Sequence, residues 1–402
     1  MDTNNKRLLI VGAGRGQLGL YKAAKAMGIT TIAGTMPHYY QPCIDLADEI
    51  CFMDISKPDM VVEKAKKLVL DGVATCCLDT GVPALGKTCD ALGLTGLTEN
   101  AAVMCGDKLK MKRAFMEHQV STAQYVKIVS DEELKEALDK TLTLPVIVKA
   151  TDLQGSNGIY IAKTREAAYD GFHEAMKKTK RDYVIVEEYI EGWEFGAQAF
   201  VYNHNVLFVM PHGDETFMSH TAVPVGHYVP LDCDEDIYKQ TEVAVKSAIE
   251  ALGLNNCAVN VDLILKDGKV YVIELTGRVG ANCLPELVEI NFGIEYYKMI
   301  AAMAVGENPL EYWNKRRDKT KAGLAKMLLS TEKSGILKED IKYVGKYDPD
   351  ILQIQFFKHK GDEIRVFENS NDCLGQVIVQ AETHEECVKK VDYIFKHFKY
   401  EV

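Results

Sequence analysis

Lys149 closes the apolar run PVIVKA, and Asp152-Leu153-Gln154-Gly155-Ser156-Asn157-Gly158 leads from it into a second apolar run, Ile159 to Ala162. A loop of that composition can fold over a triphosphate and offer backbone N–H groups to its oxygens, while Lys149 adds a point charge. The order is not that of a P-loop, where the glycines run into a helix and the lysine comes last. A surface hairpin with a lysine at its base is the other reading of these residues.

Acidic residues gather further along. Ala258 to Leu265 and Lys269 to Leu275 read as two strands about Asp267-Gly268. A three-residue turn, Lys266-Asp267-Gly268 with Gly268 left-handed, pairs Asn260 with Glu274 and Asp262 with Val272. All three polar residues then share one face. A two-residue Asp-Gly turn would send Asp262 and Glu274 to opposite faces. Two carboxylates on one half-buried face repel unless a cation neutralises them, and oxygen ligands beside phosphate suit Mg²⁺. Arg278 could steady a phosphoryl group or an oxyanion. A solvated strand face, with Arg278 as a plain ion-pair partner, is the alternative.

A second glycine cluster, Gly14-x-Gly16-x-x-Gly19, follows the apolar run RLLIV and precedes a helical stretch. It fits a dinucleotide fingerprint, with phosphate at a helix N-terminus. That fingerprint also wants an acid at the end of the second strand, and here the strand ends Ala33-Gly34-Thr35-Met36. A tight strand-to-helix turn is the plainer reading. A substrate phosphate or carboxylate held there with help from Arg15 is a third.

Alternating strands and helices over about the first hundred residues predict an open, doubly wound parallel sheet. Its strands are expected at Arg7 to Val11, Thr30 to Ala33, Ile50 to Met53 and Val73 to Leu78. The pattern then changes. Helices are expected over Asp107 to His118, Asp131 to Leu138 (capped by Ser130), Thr164 to Lys178, Asp234 to Leu252 and Pro285 to Val305. Strands lie between them, including a hairpin of Glu194 to Tyr202 with Val206 to Met210. The remainder, from about Lys315, reads as a small α+β unit closed by a helix from Glu385 to Lys399. The chain has 402 residues, long enough for two or three cores. Its 47 basic and 58 acidic residues give a formal net charge of −11, which argues against nucleic acid as a partner. Cysteines number 11, without a repeated zinc spacing, and read as reduced, mostly buried thiols. No run approaches the length of a membrane span. A cytoplasmic, soluble protein is the expectation.

Taken in order, these pieces resemble the ATP-grasp superfamily, whose members include biotin carboxylase, D-alanine–D-alanine ligase, the carbamoyl phosphate synthetase large subunit and L-amino-acid ligases. The resemblance spans nearly the whole chain. It implies an N-terminal doubly wound domain over 1–106, an ATP-grasp domain over 107–312 with a lid near 120–190, and a C-terminal α+β unit over 313–402. The family's first ATP lysine follows an aspartate at a helix start, matching Asp107-Lys108, and its second matches Lys149. By the same match Gln154, Gly155, Ser156 and Gly158 form the nucleotide loop. Glu187 and the backbone of Glu188 and Ile190 line the adenine site, and Glu194 holds the ribose. Asp262 and Glu274 match the metal ligands and Arg278 the catalytic arginine. Where the family commonly reads Glu-x-Asn-x-Arg, this chain reads Glu274-Leu275-Thr276-Gly277-Arg278. Thr276 offers only a hydroxyl there, so a second metal ion would lean on water or on Asn282.

The resemblance implies MgATP, or MnATP, as cofactor, and small-molecule substrates rather than nucleic acid or membrane. It also implies a ligase that makes an acyl phosphate from a carboxylate and passes the acyl group to an amine, giving an amino-acid or dipeptide-type product. His220 to Tyr228 is expected to line the acyl site, with His227 as its catalytic candidate. A homodimer is a common arrangement in the family. Gly16-Gln17-Leu18-Gly19 is also similar to enzymes that carboxylate an aminoimidazole ribonucleotide. An NAD-dependent oxidoreductase or a non-catalytic nucleotide-binding protein are readings of a different class.

Overall fold

A computed structural model describes residues 3–37, 41–153, 158–218, 222–369 and 372–402. The first unit is a four-stranded parallel sheet in the order Glu49–Phe52, Thr30–Thr35, Arg7–Val11, Gly72–Ala74. Its central strand Arg7–Val11 is buried from Leu8 onward, as a strand covered on both faces must be. The expected fourth strand is shorter than its apolar run. It stops at Ala74, and the chain turns at Cys77, whose φ is 57°. Two helices, Val82–Leu92 and Glu99–Gly106, occupy a stretch where the sequence reading assigned no element.

A smaller antiparallel sheet orders Tyr125–Ile128, Val184–Glu188, Val146–Lys149 and Ile159–Ala162. Helices Asp131–Lys140 and Arg165–Lys178 cover it, and Ser130 and Thr164 cap them through the Glu133 and Ala167 amides. This sheet carries its own core, including Ile128, Leu134, Val146, Val148, Phe172 and Val186.

The largest element is an antiparallel sheet of eight strands: Lys269–Thr276, Cys257–Lys266, Trp193–Tyr202, Asn205–Met218, Ala222–Val229, Ala322–Leu328, Gly375–Ala381 and Ile351–Phe356. It runs through the boundary expected near residue 312, because Ala222–Val229 pairs directly with Ala322–Leu328. The expected second hairpin strand, Val206 to Met210, continues to Met218. The single expected helix Pro285 to Val305 is two, Leu284–Phe292 and Tyr296–Ala304. Gly293 separates them at φ 68°, and a Cβ there would collide with the Arg317 guanidinium.

The metal-type hairpin departs from the expected turn. Lys266 pairs with Lys269, so Asp267-Gly268 is a two-residue turn, with φ of 51° and 74°. That turn alone would set Asp262 opposite Ile273. The ladder instead shifts by one residue between Asp262 and Leu263, and Asp262 falls opposite Glu274. A β-bulge therefore supplies the shared face that the three-residue turn was expected to supply.

Candidate active site

Asp107 accepts the Leu109 and Lys110 amides and so starts the helix Lys108–Glu117. From the first turn of that helix, Lys108 Nζ reaches Glu274 Oε2 at 2.5 Å. The Lys108 charge holds the Glu274 carboxyl down, to about 2. Asp262 opens onto the cleft but is walled in on its other sides. That enclosure, then the charges of Glu274 and Asp214, pushes its carboxyl up to about 7. Two facing carboxylates with their pKa values driven apart, and only one of them paired to a lysine, form an oxygen donor set suited to a divalent cation. Thr276 stands two residues beyond Glu274 on the same strand, opposite Asn260, with its hydroxyl the only side-chain oxygen it can add.

Lys149 closes its strand as expected and is buried. Its Nζ lies 3.2 Å from Glu187 Oε2, and Lys112 Nζ lies 3.0 Å from the same oxygen. Burial works to raise the Glu187 carboxyl, but the two lysines outweigh it and hold it lowered. Glu187 thus commits Oε2 to two lysines and leaves the buried Oε1 without a hydrogen-bond partner. Lys112 escaped the sequence reading. Its signal was a charged residue one turn beyond Lys108, on the face that also carries Met111 and Phe115 inward. Its Nζ also donates to Thr122 Oγ1 at 2.6 Å, and Thr122 donates at 2.7 Å to the Val272 carbonyl, on the strand that carries Glu274.

Glu188 turns its side chain to the Thr143 amide, 3.1 Å away, and its own amide donates to the Gln124 carbonyl. Ile190 follows that strand, half-buried. Glu194 is exposed near the start of Trp193–Tyr202, opposite Ile264. Gly158 has φ 72° and ends the glycine loop with its carbonyl on the Ala150 amide. Gln154, Gly155 and Ser156 lie outside the described residues, as do His220 and Thr221 of the expected acyl-site stretch.

Arg278 is tied in a two-pronged pair to Asp79, Nε to Oδ1 at 2.8 Å and Nη2 to Oδ2 at 2.7 Å. Asp79 sits in the short helical turn Asp79–Gly81 of the N-terminal unit, so this pair joins two units across the cleft. Nη1 donates to the Val279 carbonyl. Asp79 was missed because nothing in its local sequence marks it: only the packing of that unit on the arginine loop brings the two side chains together. His227 Nδ1 lies 2.6 Å from Asp214 Oδ1, and His212 Nδ1 lies 2.9 Å from the same oxygen.

In the first glycine cluster, glutamine side chains take up two of the backbone amides. Gln17 Oε1 takes the Gly14 amide at 2.8 Å, Gln41 Oε1 takes the Ala13 amide at 3.2 Å, and the Gly12 amide donates to Gly34. Gly19 and Gly16 are required by packing, since a Cβ would overlap the Tyr297 ring or crowd the Cys77 Cβ. With the Gly12, Ala13 and Gly14 amides taken up inside the protein, the packing favours a tight strand-to-helix turn. Arg15 instead stacks over Phe357, 3.8 Å from the ring centre, at the edge of a cavity of about 1050 Å³. Arg15, Lys22 and Arg317 line this cavity, as do Glu286 and Glu289. No helix of the described residues is long and apolar enough to cross a membrane.

Residues 106–280 match the family model described as phosphoribosylglycinamide synthetase, ATP-grasp (A) domain, and residues 339–402 match L-amino acid ligase C-terminal domain 2. A solved structure titled phosphoribosylglycinamide synthetase, from Anaerococcus prevotii, is 64% identical, with a TM-score of 0.90, 99% of this chain covered and 100% of that one. An L-amino acid ligase from Bacillus licheniformis is 18% identical with a TM-score of 0.82 over 99% of both chains, a likeness of fold. Among curated proteins, alanine–anticapsin ligase of Bacillus subtilis (strain 168) is 26% identical over 275 residues, 61% of this chain. The match spans 57% of that relative's length.

Proposed function

The chain belongs to the ATP-grasp superfamily, and on that premise we propose that it is an ATP-dependent ligase joining a carboxylate to an amine through an acyl phosphate. The observation that carries the reading is the facing pair Asp262 and Glu274 with Lys108 on Glu274. These two carboxylates would hold Mg²⁺, which supplies charge neutralisation to the phosphates. Lys108 and Lys149 stand where they can meet the same phosphates. The carboxylate substrate attacks the γ-phosphorus and ADP departs. The amine then attacks the acyl carbon, loses a proton, and phosphate leaves. Positioning and electrostatics do most of this chemistry. Arg278 and His227 are the proposed groups at the acyl centre, with Asp79 fixing the Arg278 guanidinium. Glu187 acts by holding Lys149, and Glu194 and the backbone of Glu188 and Ile190 are proposed for the nucleoside.

Amino acids are the proposed substrates. The cavity lined by Arg15, Lys22, Glu286 and Glu289 offers both signs of charge, as a zwitterion requires, and the C-terminal segment matches a domain of L-amino acid ligases. The synthetase title of the 64% identical structure favours a second reading, in which Arg15 and Lys22 receive the phosphate of a phosphoribosyl amine and glycine is the carboxylate. ADP release measured over pairs of amino acids, and separately over glycine with phosphoribosylamine, decides between them. Release that depends on two amino acids is expected. Release only with phosphoribosylamine overturns the amino-acid reading, and no ADP release with any carboxylate and amine overturns the ligase. Glu274→Gln should lower turnover at least about 100-fold, as for other lost transition-state charge contacts; activity near wild type would remove Glu274 from the metal site.

A further inference from the structure

Beside Asp262 and Glu274, on the same face of the large sheet, runs a chain of hydrogen-bonded polar side chains. Asp262, Gly196 and His212 stand in one row across three strands, and Asp214 pairs with His227 two positions along. Gly196 is required here, because any Cβ would enter the His212 ring. The direction of every hydrogen bond in the chain follows from one backbone group. The Gly280 amide, two residues after Arg278, donates to Gln198 Oε1 at 2.8 Å. Gln198 must then turn its NH₂ outward. That NH₂ gives one hydrogen to Asn260 Oδ1 at 2.7 Å, and its other hydrogen lies between His212 Nε2 at 3.2 Å and the Ala197 carbonyl at 3.3 Å; since the NH₂ has no lone pair to offer, an Nε2–H on His212 would point hydrogen at hydrogen. Asn260 in turn donates to Asp262.

His212 Nε2 is therefore an acceptor, and its proton sits on Nδ1, where it donates to Asp214 Oδ1. Burial favours the same neutral imidazole. Burial works to raise the Asp214 carboxyl, the hydrogen bonds from the two histidines work against it, and at both bonds Asp214 Oδ1 accepts. His227, bonded to that same oxygen, must donate from Nδ1, which leaves its Nε2 as the nitrogen with no partner among the described residues. The neighbouring strand adds no competing partner: Ala325 stands opposite His227, and Lys326 is paired to Glu215.

We infer that Gln198, His212 and Asp214 are positioning residues which transmit the backbone of the Arg278 loop to the tautomer of His227. The three donors of His212, Asp214 and His227 also lie close enough together for a transition-metal ion. A metal on His212 Nδ1 would drive the proton to Nε2, against the Gln198 N–H, so the amide selects hydrogen bonding over metal binding.

The tautomers are read directly by long-range ¹H–¹⁵N imidazole spectra of the full chain, with and without MgADP. The result expected is a neutral His212 carrying its proton on Nδ1, unchanged between about pH 6 and 8. Gln198→Glu places a carboxylate against Nε2 and should turn His212 into an imidazolium in that range. Asp214→Asn should release His227 into a mixture of tautomers, and Asp214→Glu should restore one. An Nε2–H or charged His212 in the wild type overturns the inference. So does stoichiometric zinc that His212→Ala and His227→Ala remove, or an unchanged His227 spectrum in Asp214→Asn. The spectra do not depend on the ligase reading, so each can fail separately. The catalytic consequence does rest on that reading: Asp214→Asn lowers kcat about 10- to 100-fold with little change in KM for ATP, and Asp214→Glu recovers part of it.

Discussion

Lys112 is as buried as the core apolar residues around it; burial and then Lys149 lower its pKa, and the buried Glu187 at 3.0 Å opposes them. Removing one partner of such a pair strands the other. Lys112→Met should destabilise the protein toward the low end of the about 3–5 kcal/mol typical for a broken buried pair, because Lys149 still neutralises Glu187. Urea denaturation of both proteins measures this, and an unchanged midpoint would show that Glu187 needs only Lys149. Glu289 illustrates the opposite case. Burial raises its carboxyl to about 7, and nearby Glu286 adds to the shift. Between its unfolded value and 7 the folded protein binds the extra proton, so this group's contribution to stability declines as pH rises from about 4.5 to 7 and then levels off. Glu289→Gln should therefore raise stability at pH 8, by on the order of 1–3 kcal/mol, with the advantage vanishing below about pH 5. Thermal melts across that range check the sign.

At the scale of the element, the hairpin of Asp262 and Glu274 brings its two acids to one face in two steps. Asp267 and Gly268 both take left-handed backbone and close the shortest turn, which by itself would separate the two acids. The bulge beside Asp262 then reverses that separation. Gly268 has nothing near its missing Cβ, so Gly268→Ala tests conformation alone. It should destabilise the protein by about 1–2 kcal/mol while MgADP affinity stays at the wild-type level, because the bulge rather than the turn sets Asp262 against Glu274. A large loss of nucleotide affinity at unchanged stability would assign the pairing to the turn instead. Helix breaks follow the same local logic: Gly293 ends one helix in a left-handed cap, and the chain restarts at Tyr296.

Across the whole molecule, the eight-stranded sheet makes the C-terminal unit a continuation of the site-bearing layer. Ala222–Val229, which carries His227, is held on one side by Asn205–Met218 and on the other by Ala322–Leu328. A chain ending at residue 312 would leave that strand as an open edge with Val225 and Val229 uncovered. Such a truncation should aggregate, and sedimentation of the truncated chain beside the full one shows whether it does. The sequence by itself marked Lys149, Asp262, Glu274 and Arg278, because charged residues at or just beyond apolar strands are visible as local violations of pattern, while Lys108 was marked by the family resemblance alone. It also determined the parallel N-terminal sheet and most helices, whose periodicity is local. Tertiary structure decided the rest. Asp79, Lys112, His212 and Gln198 enter the site through partners 10 to 199 residues away. No neighbour in the chain announces such partners, since a buried charge or tautomer is fixed by whichever group folding brings opposite it. The shared face of Asp262 and Glu274 needed a bulge, Gln17 and Gln41 took up the Gly14 and Ala13 amides of the first glycine cluster, and a sheet bridged the boundary near 312, because register and hydrogen-bond satisfaction are settled across strands rather than along them.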